Sequence, residues 1–350
     1  MAFNLDKLLR PHISKIKPYS SARDEYSGKA GIFLDANENP FGSMAEGSFN
    51  RYPDPYQWDI KQKLAKVKNV QAEQIFLGNG SDEAIDLLMR AFCIPGQDNI
   101  ILLPPTYGMY EVSAGINDIN TLKVNLTGDY QLRPDAILAA ANEHTKIIFI
   151  CSPNNPSGNK VKRADIYQIL DNFNALVVID EAYIDFSDEP SFTTELGNYP
   201  NLLVMQTFSK AWGLASLRIG MAFASEEIIN ILNLIKPPYN ISGLTQEKVL
   251  EALYNAPLIG KVVKDTFVER DFLEAGISKF PFVQKIYPSH ANFILIKVDA
   301  ARNIYQYLIN QTIIIRDRSK VILCEECLRI SVGTRAENEA LLKALNLYNP

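Results

Sequence analysis

Polar and aromatic groups recur in this 350-residue chain directly after short apolar runs. Asn79-Gly80-Ser81-Asp82 follows IFLG, Thr106-Tyr107 follows NIILLPP, and SPNNPSG, with Asn154 and Asn155, follows KIIFIC. Asp180-Glu181-Ala182-Tyr183 closes LVVI, and Ser209-Lys210 closes NLLVMQTF, with Arg218 eight residues past the lysine. A glycine turn that opens a helix presents free N–H groups to an anion the size of a phosphate. Tyr107 offers a face for stacking on a flat ring. A carboxylate ending a wholly apolar strand, as Asp180 does, is costly unless something pairs with it. Lys210 lies in the small, apolar stretch QTFSKAWGLASLRIG. It is either a cation at a helix rim or an amine kept from water so that it stays neutral and reactive.

Other chemistries fit less well. GNGSDE has Glu83 where a dinucleotide fingerprint needs its third glycine. No histidine lies near Asp180, and His12, His144 and His290 are scattered, so no metal is expected. Cys324-Glu-Glu-Cys327 has redox-pair spacing but no companion motif, and reads as a turn between two strands. A formal net charge of −5 argues against nucleic acid as the main partner. No basic-plus-apolar leader or span of roughly 20 apolar residues is present, which predicts a cytoplasmic protein with no membrane partner.

These groups need elements to hold them together. Runs apolar on both faces at 75–79, 99–105, 146–153, 175–183 and 201–209 read as strands buried between helix layers. Between them, SDEAIDLLMRAF predicts a helix with Ser81 as its cap, and Ser225-Glu-Glu opens another. The alternation predicts an α/β fold, a large mostly parallel mixed sheet sandwiched by helices, with a smaller α+β domain. Pro237-Pro238 reads as the hinge between a large domain over 35–240 and a small one over 241–350. In open α/β sheets ligands bind beyond the carboxyl ends of the strands, where the groups above would meet.

Nine phrases in order carry a resemblance: KPYSSARDE, LDANENPFG, RYPDP, GNGSDE, PTYGMY, CSPNNPSG, VVIDEAYIDF, TFSKAWGLASLRIG and LRISVGT. Together they resemble the fold type I pyridoxal-phosphate (PLP) aminotransferases, and within these the histidinol-phosphate aminotransferases. The resemblance implies PLP as cofactor and transamination between L-histidinol phosphate and 2-oxoglutarate in histidine biosynthesis. It implies that Lys210 forms the Schiff base and shuttles the proton, that Asp180 pairs with the pyridine nitrogen, and that Tyr183 and Asn155 bond the phenolic oxygen. Tyr107 would stack on the ring, and Gly80, Ser81, Asp82, Ser209 and Arg218 would surround the phosphate. Tyr52 would reach the cofactor of a neighbouring subunit, which implies a homodimer with shared active sites. Arg329 and Arg316 would bind the substrate's anionic groups. Tyr19 and Asn37 would form a substrate-side lid, with residues 1–34 as an N-terminal segment joining the small domain.

Ser216 replaces a frequent glycine and Trp212 a usual phenylalanine, and neither change removes a functional group. A threonine-phosphate decarboxylase of the same fold would carry a His-Gly-Gly segment near its N-terminus, which this sequence lacks. A broader aromatic aminotransferase remains an alternative. A nucleotide-binding dehydrogenase would leave Lys210 and Asp180 idle.

Overall fold

The computed structural model describes residues 3–17 and 31–348, so the expectation for Tyr19 falls outside the described residues. Seven strands build the larger sheet: β1 (Ile75–Asn79), β2 (Asn99–Leu102), β3 (Asn120–Lys123), β4 (Thr145–Cys151), β5 (Leu176–Asp180), β6 (Leu202–Thr207) and β7 (Ile219–Phe223). Their order is β1-β7-β6-β5-β4-β2-β3. Strands β2 to β6 run parallel, while β7 is antiparallel to both of its neighbours. This is the mostly parallel mixed sheet that the apolar runs predict.

Strand alternation divides the core. Val177 and Ile179 face one way and pack with Ile60, Leu64, Ile166 and Ile169. Leu176 and Val178 face the other and pack with Ile85, Leu88, Ile228 and Leu232. Burial on both faces explains why β5 is apolar along its length until Asp180.

The smaller sheet is antiparallel, in the order β10-β11-β9-β8: β8 (Val283–Ile286), β9 (Phe293–Val298), β10 (Arg316–Asp317) and β11 (Cys327–Ser331). The helices Ile259–Ile277, Ala301–Asn310 and Arg335–Leu347 close its core through Ile277, Ile304, Leu308 and Leu341. Among the described residues, no helix is long and apolar enough to cross a membrane.

Three local expectations are corrected. Asn79, not Ser81, is the cap of helix Gly80–Phe92, because β1 runs straight into the helix. Glu83 turns back to accept from the Asn79 N–H at 2.5 Å, and Ser81 lies within the first turn. Helix Gly243–Tyr254, beyond the proline pair, buries Val249 and Leu253 in the large core, so that core does not end at residue 240. The first described residues also dock on the larger unit: Leu8 joins the core around Phe92, and the Arg10 N–H donates to the Ala91 carbonyl at 3.0 Å. Their few apolar side chains cover the end of helix Gly80–Phe92 rather than the small sheet.

Candidate active site

A cavity of about 950 Å³ opens at the carboxyl ends of the parallel strands and is closed on its other side by the small domain. Gly80, Ser81, Asp82, Tyr107, Asn155, Asp180, Tyr183, Ser209, Lys210, Arg218, Arg316 and Arg329 all line it.

At one end, Gly80 bends β1 into its helix with φ +70°, a left-handed conformation suited to glycine. A Cβ on Gly80 would stand 2.7 Å from an Arg218 guanidinium nitrogen. Its N–H donates to the Arg218 carbonyl at 2.8 Å. Arg218 is itself left-handed, with φ 50°, a conformation that costs a non-glycine residue energy and directs its side chain toward the turn. Asp82 holds both neighbours, accepting from the Tyr107 hydroxyl at 3.1 Å and lying 3.6 Å from Arg218. Helix N–H groups, Ser209 and a guanidinium thus converge on space suited to a phosphate.

Asp180 is buried at the end of β5. It is not unpaired: one oxygen accepts from the Ala182 N–H at 3.0 Å, the other from the Tyr110 hydroxyl at 2.5 Å. Burial raises its pKa, and those two hydrogen bonds oppose the rise. Each carboxylate oxygen keeps acceptor capacity for a further donor. Tyr110 is fully buried and stacked on Phe149 at 4.7 Å, so the carboxylate is held rigidly.

Lys210 follows β6 past Ser209, with its amine 5.5 Å from the centre of the Tyr183 ring. Burial lowers its pKa most, Arg329 and Arg218 lower it further, and Asp180 opposes them. The setting favours a neutral amine. Tyr183 is buried against Phe293, and burial raises the pKa of its phenol. Arg329 crosses from the small sheet to donate to the Asn155 side-chain oxygen, tying the two walls together.

Two expected residues stand apart. Tyr52 is half exposed and stacks on Tyr239 at 4.5 Å, away from the cavity of its own chain. Asn37 is exposed, with φ 54°, and does not line the cavity. Sequence reasoning missed Tyr110 and Arg318. Tyr110 lies in helix Met109–Ile116 and reads as core, and Arg318 reads as a surface charge in RDRSK. Neither carries a signal apart from the contacts it makes.

Cys324, in the turn between β10 and β11, and Cys327, the first residue of β11, are buried free thiols. Among the described residues, no group of three or more His, Cys, Asp or Glu side chains is placed to hold a metal.

The profile of the family "Aminotransferase class I and II" matches residues 31–345. Histidinol-phosphate aminotransferase of Cytophaga hutchinsonii is 58% identical over 99% of this chain and 100% of its own length. That of Bacteroides fragilis is 54% identical over 98% of this chain and 99% of its own. Among solved structures, histidinol-phosphate aminotransferase from Sinorhizobium meliloti in complex with pyridoxal-5'-phosphate superposes with TM-score 0.79. It is 23% identical, with 89% of this chain and 88% of that one covered, a likeness of fold. L-threonine-O-3-phosphate decarboxylase from Porphyromonas gingivalis shares the fold at TM-score 0.71 and 22% identity, over 85% of this chain and 92% of its own. With a family match across most of its length and relatives above half identity, the chain belongs to the class I and II aminotransferases, and among them to the histidinol-phosphate aminotransferases.

Proposed function

We propose that this protein transfers the amino group of L-histidinol phosphate to 2-oxoglutarate, giving imidazole-acetol phosphate and L-glutamate in histidine biosynthesis, with PLP as cofactor. The observation that carries the reading is the order of groups along one cavity: a desolvated lysine, a rigid buried carboxylate and an anion-binding turn. That donor set matches an aldehyde, a basic ring nitrogen and a phosphate. When bound, PLP supplies an electron-withdrawing ring that accepts charge from the donor's Cα.

The protein's own groups do the rest. Lys210, with its amine kept neutral, is the residue that would hold the cofactor's aldehyde end and would serve as the base for the proton at the donor's Cα. Asp180, held by Tyr110 and Ala182, would accept from the ring nitrogen and so keep a proton on it. Asn155 and Tyr183, which line the same cavity, would hold the ring's phenolic oxygen, and Tyr107 would cover the ring's face. Gly80, Ser81, Ser209 and Arg218 hold the phosphate, with Asp82 fixing Arg218 and Tyr107 in place. Arg329 and Arg316 bind the anionic group of the amino donor. Tyr52 completes the site of a second subunit in a homodimer, which its exposure and distance from its own cavity support.

Comparing kcat/KM among amino donors tests the substrate. Histidinol phosphate should lead phenylalanine, tyrosine and threonine phosphate. If one of those is the better donor, or threonine phosphate is decarboxylated instead, the substrate assignment fails.

A further inference from the structure

The hairpin joining β10 to β11 concentrates positive charge on the cavity. Arg316 and Arg329 are directly paired across the two strands, so their side chains share a face. Asp317, between Arg316 and Arg318, pairs with Leu328 on the opposite face, where Leu328 is buried in the small core. There Asp317 meets Arg302 at 3.4 Å. Alternation therefore removes the only nearby carboxylate of the strand and leaves Arg316, Arg318 and Arg329 lining the cavity together.

Among the described residues, no ion pair joins any of these three arginines to a carboxylate. Like charges opposite one another in a sheet repel. Arg318 is half-buried and its Nε is buried without an acceptor. Burial and then Arg316 lower the pKa of Arg318; burial and then Arg318 lower that of Arg329. The three cations sense one another, and an anion between them would relieve the repulsion and supply the missing acceptor.

We propose that Arg318 is a specificity-determining residue, completing a three-arginine basin that favours amino donors bearing a phosphate monoester over donors bearing a carboxylate in its place. This rests on the proposed phosphate-bearing substrate. A phosphate monoester carries close to two charges and three acceptor oxygens at neutral pH, a carboxylate one charge and two oxygens. Two guanidiniums suffice for the carboxylate, whereas the third has a partner only in the dianion.

Arg318→Gln in the PLP-loaded enzyme tests this. Cofactor then occupies the turn at Gly80, so added inorganic phosphate reports on the arginine basin. By calorimetry, the Kd for inorganic phosphate should rise about tenfold or more, and that for acetate less than about threefold. In the amino-donor half-reaction, followed by the cofactor's absorbance, the ratio of kcat/KM for histidinol phosphate to that for glutamate should fall about tenfold. Equal losses for both anions, or unchanged phosphate binding, would overturn the proposal. Should Arg318→Gln not fold, Arg318→Lys carries the test: a point charge in place of the fork should weaken phosphate about threefold and spare acetate. Equal behaviour toward the two anions would again overturn it. If the unsubstituted enzyme does not prefer histidinol phosphate, the substrate assignment falls, while phosphate calorimetry still decides the role of Arg318.

Discussion

In the proposed function Lys210 is the residue on which the chemistry turns, and its surroundings set its charge. Its pKa is lowered from the ordinary 10.5 by burial first and Arg329 second, against the pull of Asp180. The neutral amine therefore forms at lower pH than in a free lysine, and PLP uptake by the apoprotein should rise with pH over a range below 10.5. In Arg329→Ala a cation is lost and the Lys210 pKa rises, so the rise in uptake should move to higher pH. Stopped-flow absorbance of PLP binding against pH measures this, and a shift to lower pH would refute the assigned cause. Lys210 and Asp180 stand out in the sequence because each interrupts an apolar context where a polar group needs a reason, while the roles proposed for them came only with the resemblance. Tyr110 was not legible, since a tyrosine in an amphipathic helix is ordinary core until its hydroxyl is seen on Asp180.

The elements were legible where burial is two-sided. The strands β1, β2, β5 and β6 lie within the runs read as buried strands, and β4 starts one residue before its run, because apolar residues on both faces leave few alternatives. Ends were less legible: a β1 that feeds a helix without a loop makes Asn79 the cap and leaves Ser81 free for the site. That junction also explains Gly220. A Cβ there would stand 2.2 Å from the Ser81 nitrogen and 2.4 Å from the Gly80 carbonyl carbon, both backbone atoms that cannot yield cheaply. Gly220→Ala should separate β7 from the turn, costing about 1–3 kcal/mol of stability, and should weaken PLP binding as well. Thermal unfolding and a cofactor titration check the pair of effects; an unchanged cofactor Kd would show that the turn tolerates the shift.

At the scale of the molecule, the segment after residue 31 is the least absorbed into the chain's own core. Ile32, Leu34, Phe41 and Met44 are 88–99% exposed, and Tyr52 lies near them in sequence. Large apolar side chains gathered on a surface mark an interaction face, which supports the proposed homodimer. We propose a division into a large cofactor-binding unit and a small one, joined where the Tyr130 hydroxyl donates to the Leu323 carbonyl at 2.8 Å and the His290 N–H to the Gly158 carbonyl at 2.7 Å. In the sequence the proposed homodimer rests only on resemblance, because an interface leaves no periodicity of its own. Lys210→Ala and Tyr52→Ala chains should each be impaired alone. Mixed and reassociated in equal amounts, they should regain about one quarter of full activity, since half the dimers would be mixed and each would hold one intact site. No gain on mixing, with exchange of subunits verified, would place Tyr52 in its own chain's site or in none.

The central claim is that Lys210 carries PLP at the ends of the parallel strands. Borohydride reduction of the yellow, PLP-loaded protein followed by peptide mass mapping tests it most directly. We expect one pyridoxyl-phosphate group, fixed to Lys210, and none in Lys210→Ala. Protein that stays colourless with added PLP, or a label on another lysine, would contradict the claim.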